Sequence, residues 1–302
     1  MEYVNCNLCG ADDTQLVYPS TLNHHDRAPV PARLACTTDA YGVHPPIVQC
    51  RQCSLMYANP RPDADALIDS YSAVVDPVYL EERIGREITF RRHLDHLDAR
   101  VSLDGQKRLL DVGCYVGIFI EEARARGWDA WGVEPSRWAV AQAKARNLQV
   151  IQGTLADAPF PPDYFDVVTL WDVIEHLSDP MEELRRIARV IRPGGWLCVH
   201  TMDVESFFAR IMGRRWPWLM EMHLYYFSRN TLAAMLQRAG FRVIEVNAHG
   251  RVLRLDYVVS RLMPYSSRLA GVVRGVIQAL GLAGRPIPVN FGDLITAYAC
   301  KE

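Results

Sequence analysis

Lysine is nearly missing from this 302-residue chain: Lys107, Lys144 and Lys301 are the only three among 33 basic residues. The positive charge is therefore carried by arginine, whose planar fork binds carboxylates and phosphates through two bonds. An Arg- and Ala-rich codon bias accounts for the imbalance better than a phosphate-rich partner does. A sizeable net charge is missing too. The 33 basic residues face 35 acidic ones, leaving −2 with histidine neutral, which excludes the whole-protein basic field of a nucleic-acid binder. No run of 18 uncharged apolar residues occurs, so no membrane-spanning helix is expected. The opening residues Met1 to Cys6 show neither a basic start nor an apolar stretch, which reads as no secretory leader. A cytoplasmic protein with its eight cysteines reduced is the resulting expectation. Internal repeats and low-complexity tracts are absent as well. What is there, 49% apolar and 23% charged residues, is ordinary globular composition and enough chain for one large or two modest domains.

The neutral total conceals a split. Residues 251–288 hold six arginines and one aspartate, a local +5, so the rest of the chain sums to −7.

The cysteines cluster. Cys6-Asn7-Leu8-Cys9 and Cys50-Arg51-Gln52-Cys53 are two C-x-x-C pairs separated by 40 residues. Two such pairs supply the closed tetrahedral set of a structural Zn2+ site. Gly10 permits the tight turn that each knuckle needs. The redox reading of C-x-x-C requires a βαβ context that is absent here. Cys36, His24, His25 and His44 are outside candidates for the same ion. Residues 1–62 thus read as a small zinc-binding, ribbon-like module in which metal replaces part of a core. Its first 60 residues carry three arginines against five acids, which argues against nucleic acid. Asn59-Pro60-Arg61-Pro62 reads as a stiff linker. Residues 63–104 read as a helical linker or cofactor-covering segment, with helical spacing from Ala64 to about Val101.

From 105 to 302 the pattern is α/β. Short apolar strands are expected at Arg108–Val112, Ala130–Val133, Gln149–Ile151, Phe165–Trp171 and Trp196–His200, with helices between them. This predicts a Rossmann-like, mostly parallel sheet with helices on both faces, whose ligands sit at the carboxyl ends of the strands. Asp111-Val112-Gly113-Cys114-Tyr115-Val116-Gly117 falls at such an end. Glu134 ends the second strand, where an acid suits the two ribose hydroxyls of an adenosine. The bland alternative is a tight turn with a capping acid. The G-x-x-x-G spacing does not match the G-x-G-x-x-G of nicotinamide folds.

This loop resembles that of the class I S-adenosylmethionine-dependent methyltransferases, commonly D-x-G-x-G-x-G. Further matches are Phe165-Asp166-Val167-Val168, Asp172 to Pro180, Ile191-Arg192-Pro193-Gly194-Gly195, His223 to Ser228 and Ala239-Gly240-Phe241, covering about residues 107–247. The N-terminal clip looks like that of bacterial methyltransferases acting on sugars and glycans. The resemblance implies S-adenosyl-L-methionine as cofactor, with Asp111, Gly113 and Gly117 around its methionine part. Glu134 would hold the ribose, Leu155 would lie near the adenine and Trp171 near the methyl group. Tyr115 stands at the usual middle glycine, and Thr154 where an acid often meets the adenine amino group.

Methyl transfer needs an in-line acceptor and often a base. If the segment after Trp171 is helical, Asp172, Glu175 and His176 share one face. His176 is the first candidate for the base, His223 the second, and Glu175 belongs with them; the alternative is that His176 caps or packs a short helix. Asp172-x-x-Glu175-His176 also resembles the metal site of some quinone and RNA-end methyltransferases. Residues 207–222, with Phe207, Phe208, Trp216, Trp218, Met220 and Met222, offer an aromatic wall or plain core. Within 251–288 an amphipathic helix carries Leu269, Val272, Val273, Val276, Ile277 and Leu280. It reads as a cover on the body, a homodimer contact, or a seat on the inner face of an anionic membrane. The expected activity is O-methylation of a small-molecule acceptor such as a sugar, nucleotide sugar or glycan terminus. A quinone-like aromatic acceptor, or a non-catalytic binding role, are the alternatives.

Overall fold

The computed structural model describes residues 1–22, 31–101 and 107–302. His24 and His25, and the end of the 63–104 segment, lie outside them. Strands β1 (Thr14–Tyr18), β2 (Ile47–Cys50) and β3 (Met56–Ala58) form an antiparallel sheet. The stretch expected to be helical from Ala64 is three helices: α1 (Ala64–Ser72), α2 (Pro77–Glu81) and α3 (Arg83–Asp98). The break is local chemistry. Pro77 sits in the first turn of α2, and the Asp76 carboxylate caps it by accepting from the amide of Tyr79.

The body alternates as its pattern requires: β4 (Arg108–Val112), α4 (Ile118–Ala125), β5 (Asp129–Glu134), α5 (Arg137–Lys144) and β6 (Gln149–Gln152). It continues with β7 (Phe165–Trp171), α6 (Pro180–Val190) and β8 (Ile191–Met202). Ser136 caps α5 through the amide of Ala139, as expected from its position. Beyond β8 come α7 (Phe207–Met212), β9 (Tyr225–Tyr226), α8 (Arg229–Arg238) and β10 (Phe241–Ala248). The 251–288 segment folds as β11 (Arg251–Arg254), α9 (Leu255–Ser260), α10 (Ser267–Ala279) and β12 (Pro286–Val289), and β13 (Leu294–Lys301) ends the chain.

Seven strands make one sheet in the order β10-β13-β8-β7-β4-β5-β6, parallel from β8 to β6, with β13 antiparallel to both neighbours. This is the Rossmann-like sheet that the alternation predicts. Alternate residues of each strand feed opposite faces. Leu109, Val167 and Cys198 pack with Leu94, Phe119 and Val140 of the helices on one side. Leu110, Val168 and Leu197 pack with Leu184, Ile187 and Leu236 on the other. Double-sided burial is why these strands read as continuous apolar runs.

Two contacts position the site. The strand order reverses between β4 and β7, which opens a crevice at their carboxyl ends. The crevice is then roofed from outside the sheet. On one side β9 joins the N-terminal sheet beside β3. On the other, β11 crosses α3 at Gly85, where a Cβ would lie 2.4 Å from the carbonyl oxygen of Val252. Only glycine permits that approach.

Candidate functional site

The N-terminal cysteines assemble as their spacing predicts. Each knuckle turns through a left-handed residue, Gly10 at φ 83° and Ser54 at φ 67°. The amides of these two donate back to the carbonyls of Cys6 at 2.7 Å and Cys50 at 3.0 Å. The Sγ atoms of Cys6, Cys9, Cys50 and Cys53 lie within 4.8 Å of one another, and two of the pairs are 3.4 Å apart. A tetrahedral zinc with bonds of about 2.3 Å has sulfur–sulfur edges near 3.8 Å, so the donor set fits. His44 turns its Nδ1 to the carbonyl of Pro45 and stands apart from the four sulfurs.

The main cavity, about 890 Å³, lies over the carboxyl ends of β4 and β7. It brings together Asp111, Gly113, Glu134, Leu155, Trp171, Glu175, His176 and His223, drawn from positions more than a hundred residues apart. Gly117 does not line it: at φ 80° it starts α4, with Leu148 2.7 Å from where its Cβ would be. The loop keeps its glycine-like course in spite of Tyr115, which adopts φ 48°. That residue's strain is offset by packing, its ring lying 4.5 Å from Tyr79, and its amide donates to Glu134 Oε2 at 2.9 Å. Ser136 donates to the other oxygen of Glu134 at 2.8 Å. Thr169 donates to Asp111 at 2.6 Å.

After Trp171 the chain departs from the expected helix. Asp172 takes φ 57° and only a single 3-10 turn, Ile174–His176, follows. Asp172 therefore swings away from Glu175 and His176 and pairs with Arg251 of β11. His223 takes its place: ligating atoms of Glu175, His176 and His223 lie within 4.8 Å of one another. His176 donates from Nδ1 to the carbonyl of Met222 at 2.9 Å, with the Tyr71 hydroxyl also 2.9 Å from that nitrogen. His223 donates from Nδ1 to the carbonyl of Trp218 at 2.7 Å. These carbonyls fix the tautomers, leaving an Nε2 lone pair on each ring. Such a pair of rings beside a carboxyl accepts a proton, and the same three donors match a divalent cation.

Four arginines also line the cavity: Arg86, which the sequence did not single out, Arg251 and Arg261 of the arginine-rich 251–288 segment, and Arg186, which pairs with Glu182 and Glu183. Arg251 is neutralised by Asp172. Arg261 donates to the carbonyls of Thr37 and Thr38. Arg86 sits over the Tyr79 ring, 3.5 Å from its centroid, and its buried Nε has no partner among the described residues. No carboxylate pairs with Arg86 there, and an unpaired buried cation is costly unless a ligand anion meets it. Of the aromatic segment, Phe208, Trp218, Met220 and Met222 line the cavity while Trp216 is core.

Burial sets the protonation states. It pushes Asp111 up to about 8 and Glu134 up to about 7. Glu175 rises to about 8, through burial first and the Asp172 charge second. Burial lowers His176 to about 4 and His223 to about 3. The signs give a pH dependence. Between about pH 4.5 and 6.5 two effects oppose each other: the unfolded chain protonates histidines that the fold holds neutral, while the fold keeps carboxyl protons that the unfolded chain has released. Above about pH 6.5 the histidine effect is spent and the carboxyl protons alone remain, so stability declines until about pH 8. Thermal melts of ligand-free protein are expected to drop by about 3 °C or more between pH 6.5 and pH 8. A melting temperature that rises steadily across this range contradicts the assignment of these three carboxyls.

The profile of a family described as a methyltransferase domain matches residues 83–246, more than half of the chain. A ubiquinone biosynthesis O-methyltransferase of Marinobacter nauticus is 34% identical over 131 residues, covering 40% of this chain and 55% of that protein. A demethylmenaquinone methyltransferase of Geobacillus kaustophilus is 28% identical over 201 residues, 56% of this chain and 86% of the relative. The chain thus spans only about half the length of the first of these. A SAM-dependent methyltransferase structure from Archaeoglobus fulgidus superposes with a TM-score of 0.51 at 20% identity, over 75% of this chain and 100% of that one, a likeness of fold.

Proposed function

The chain belongs to the methyltransferase-domain family, and on that premise we propose that it transfers a methyl group from S-adenosylmethionine to a ring hydroxyl of an aromatic, quinone-type acceptor. One observation carries the acceptor half. His176 and His223, neutral and anchored through Nδ1, face a cavity walled by Tyr71, Phe208, Trp218 and Tyr257. A polar sugar or glycan acceptor, expected from the N-terminal clip, has no support among the relatives named above.

The cofactor supplies an electrophilic methyl carbon on a sulfonium. The chain's residues bind and orient around it. The unpaired guanidinium of Arg86, close to the loop through Tyr79 and Tyr115, suits the methionine carboxylate. Glu134 suits the ribose hydroxyls with the lone pairs that Tyr115 and Ser136 leave open. Leu155 offers the adenine an apolar wall and Trp171 closes the methyl end. The acceptor hydroxyl gives its proton to Nε2 of His176, with His223 and Glu175 adjacent to spread the charge.

Calorimetry tests the cofactor half. S-adenosylmethionine is expected to bind the wild-type chain, and Arg86→Met to weaken binding by about 10–100-fold through loss of one charged pair. No binding to the wild type overturns the reading. Mass spectrometry with labelled cofactor tests the acceptor. Product from a catechol or hydroquinone supports it, product from a nucleotide sugar alone overturns it, and binding without product from any acceptor favours the non-catalytic alternative.

A further inference from the structure

The rim of the cavity is bordered by two segments of one composition. Residues 206–220 and 257–292 carry seven arginines and not one aspartate or glutamate. They meet in space. The Tyr265 hydroxyl donates to the carbonyl of Arg215 at 2.8 Å, and Phe208 stacks on Phe291 with centroids 4.6 Å apart. Tyr265 and Phe291 line the cavity and are still 42% and 59% exposed, so the cavity opens at this joined surface.

The surface is apolar as well as basic. Phe207 and Ile211 of α7 stand out into solvent. On α10, Leu269, Val272, Val276 and Leu280 are each more than half exposed. Their three-and-four spacing makes one ridge along the helix. The amphipathic helix read from the sequence is therefore only half seated. Ala270 and Ile277, with half-buried Val273, pack with Val259 of α9, and the rest of the apolar arc, read from the sequence as a cover, a dimer contact or a membrane seat, is uncovered among the described residues. Exposed Arg268 borders the open side of that arc beside Val272, and half-buried Arg274 borders its seated side beyond Ala270 and Ile277. Neither these two nor Arg210, Arg214 and Arg285 form an ion pair among the described residues.

Charge and apolarity together select the occupant. A nucleic acid would satisfy the arginines and leave the ridge in water. A second copy of this chain, related by a two-fold axis, would set arginines against arginines. An anionic bilayer satisfies both features: apolar side chains enter the acyl boundary while guanidinium groups meet lipid phosphates. We propose that this face docks on an anionic phospholipid surface, with α10 in the headgroup plane and the cavity mouth turned to the lipid. An acceptor dissolved in the bilayer then reaches the site without crossing water. The docking face stands by itself; the acceptor's route rests on the methyl-transfer reading.

The test is sedimentation of the 302-residue chain with vesicles of phosphatidylcholine alone, or containing about one third phosphatidylglycerol. The bound fraction is expected to be about tenfold or more higher on the anionic vesicles and to collapse at about 0.5 M salt. Leu269→Ser/Val272→Ser/Val276→Ser/Leu280→Ser, all at exposed positions, is expected to reduce binding to the neutral-vesicle level. Arg210→Glu/Arg268→Glu, at two exposed positions, keeps the ridge and is expected to do the same. Both variants should bind S-adenosylmethionine as the wild type does. Wild-type protein that stays in the supernatant with both vesicle types overturns the proposal. So does a dimer in sedimentation velocity that these variants dissociate, without vesicle binding. Failure of the wild type to bind S-adenosylmethionine would overturn the methyl-transfer reading and leave the vesicle result standing.

Discussion

Replacing His176 with alanine is expected to lower turnover by about 10²–10⁴-fold, the usual worth of a positioned proton acceptor, and to leave S-adenosylmethionine affinity within about twofold of wild type. The split follows from its contacts. His176 touches Tyr71, Met222 and His223, none of which belongs to the glycine loop, Arg86 or Glu134. A stability loss of about 1 kcal/mol is expected to accompany the change, because the carbonyl of Met222 keeps only the long 3.4 Å bond from the Tyr71 hydroxyl. His176→Asn separates the two roles. An asparagine can still donate to that carbonyl and restore stability, yet it has no basic nitrogen to restore turnover. Full turnover in either variant removes His176 from the mechanism. The pH profile is a second check. Because burial holds His176 near 4 and His223 near 3, neither imidazole titrates between pH 6 and 7. The rise in turnover is instead expected near pH 8, where Glu175 ionises beside them. Activity measured after chelation that spares the cysteine site tells proton transfer alone from a role for a divalent ion at Glu175, His176 and His223.

Cys50→Ser is expected to abolish zinc binding, with metal content falling from about one ion per chain to none. It is also expected to cost the N-terminal sheet its fold, since a closed site of this kind contributes about 10 kcal/mol or more of folding free energy in small zinc domains. The loss spreads. Asn7 accepts from the Met181 amide at 2.9 Å and donates to Asp179 at 2.8 Å, both at the start of α6. Arg238, at the end of α8, donates to the carbonyl of Leu8 at 2.6 Å. Leu8, Cys50 and Tyr57 share a core cluster with Leu110 and Phe227 of the body. The variant should therefore melt at least about 10 °C below wild type rather than merely lose a mobile appendage. Purified wild-type protein without zinc, with all eight thiols titrating freely, would sink this assignment.

Much of the architecture was legible because it depends on near neighbours. Alternation of apolar strands with helices specifies a parallel sheet, since helices must cover both faces. Gly113, at φ 70°, and Glu134 one strand later put a tight turn and an acid side by side at the carboxyl ends of β4 and β5. Two C-x-x-C pairs bring four cysteine sulfurs within 4.8 Å of one another. Even Tyr115, the departure from the family pattern, holds the left-handed conformation that the pattern asks of a glycine.

The composition of the site was decided by the tertiary structure. An isolated arginine carries no signal in an arginine-rich chain, so Arg86 became visible only when the fold placed it in the cavity with no carboxylate paired to it among the described residues. Arg261 reaches the carbonyl of Thr38 across 223 positions of sequence, a closure that no local pattern encodes. Asp172 was placed with Glu175 and His176 by helical spacing, but its left-handed turn hands it to Arg251 and brings His223 into the vacated corner. The apolar spacing of α10 announced an amphipathic helix. Which half of its apolar arc would be covered depended on where α9 stood. The sequence by itself determined the sheet, the gathering of four cysteines and the glycine turn after β4, because local sterics and residue spacing suffice for those. Only the folded chain decided which charges are paired and which apolar faces stay open, because pairing and cover depend on partners remote in sequence.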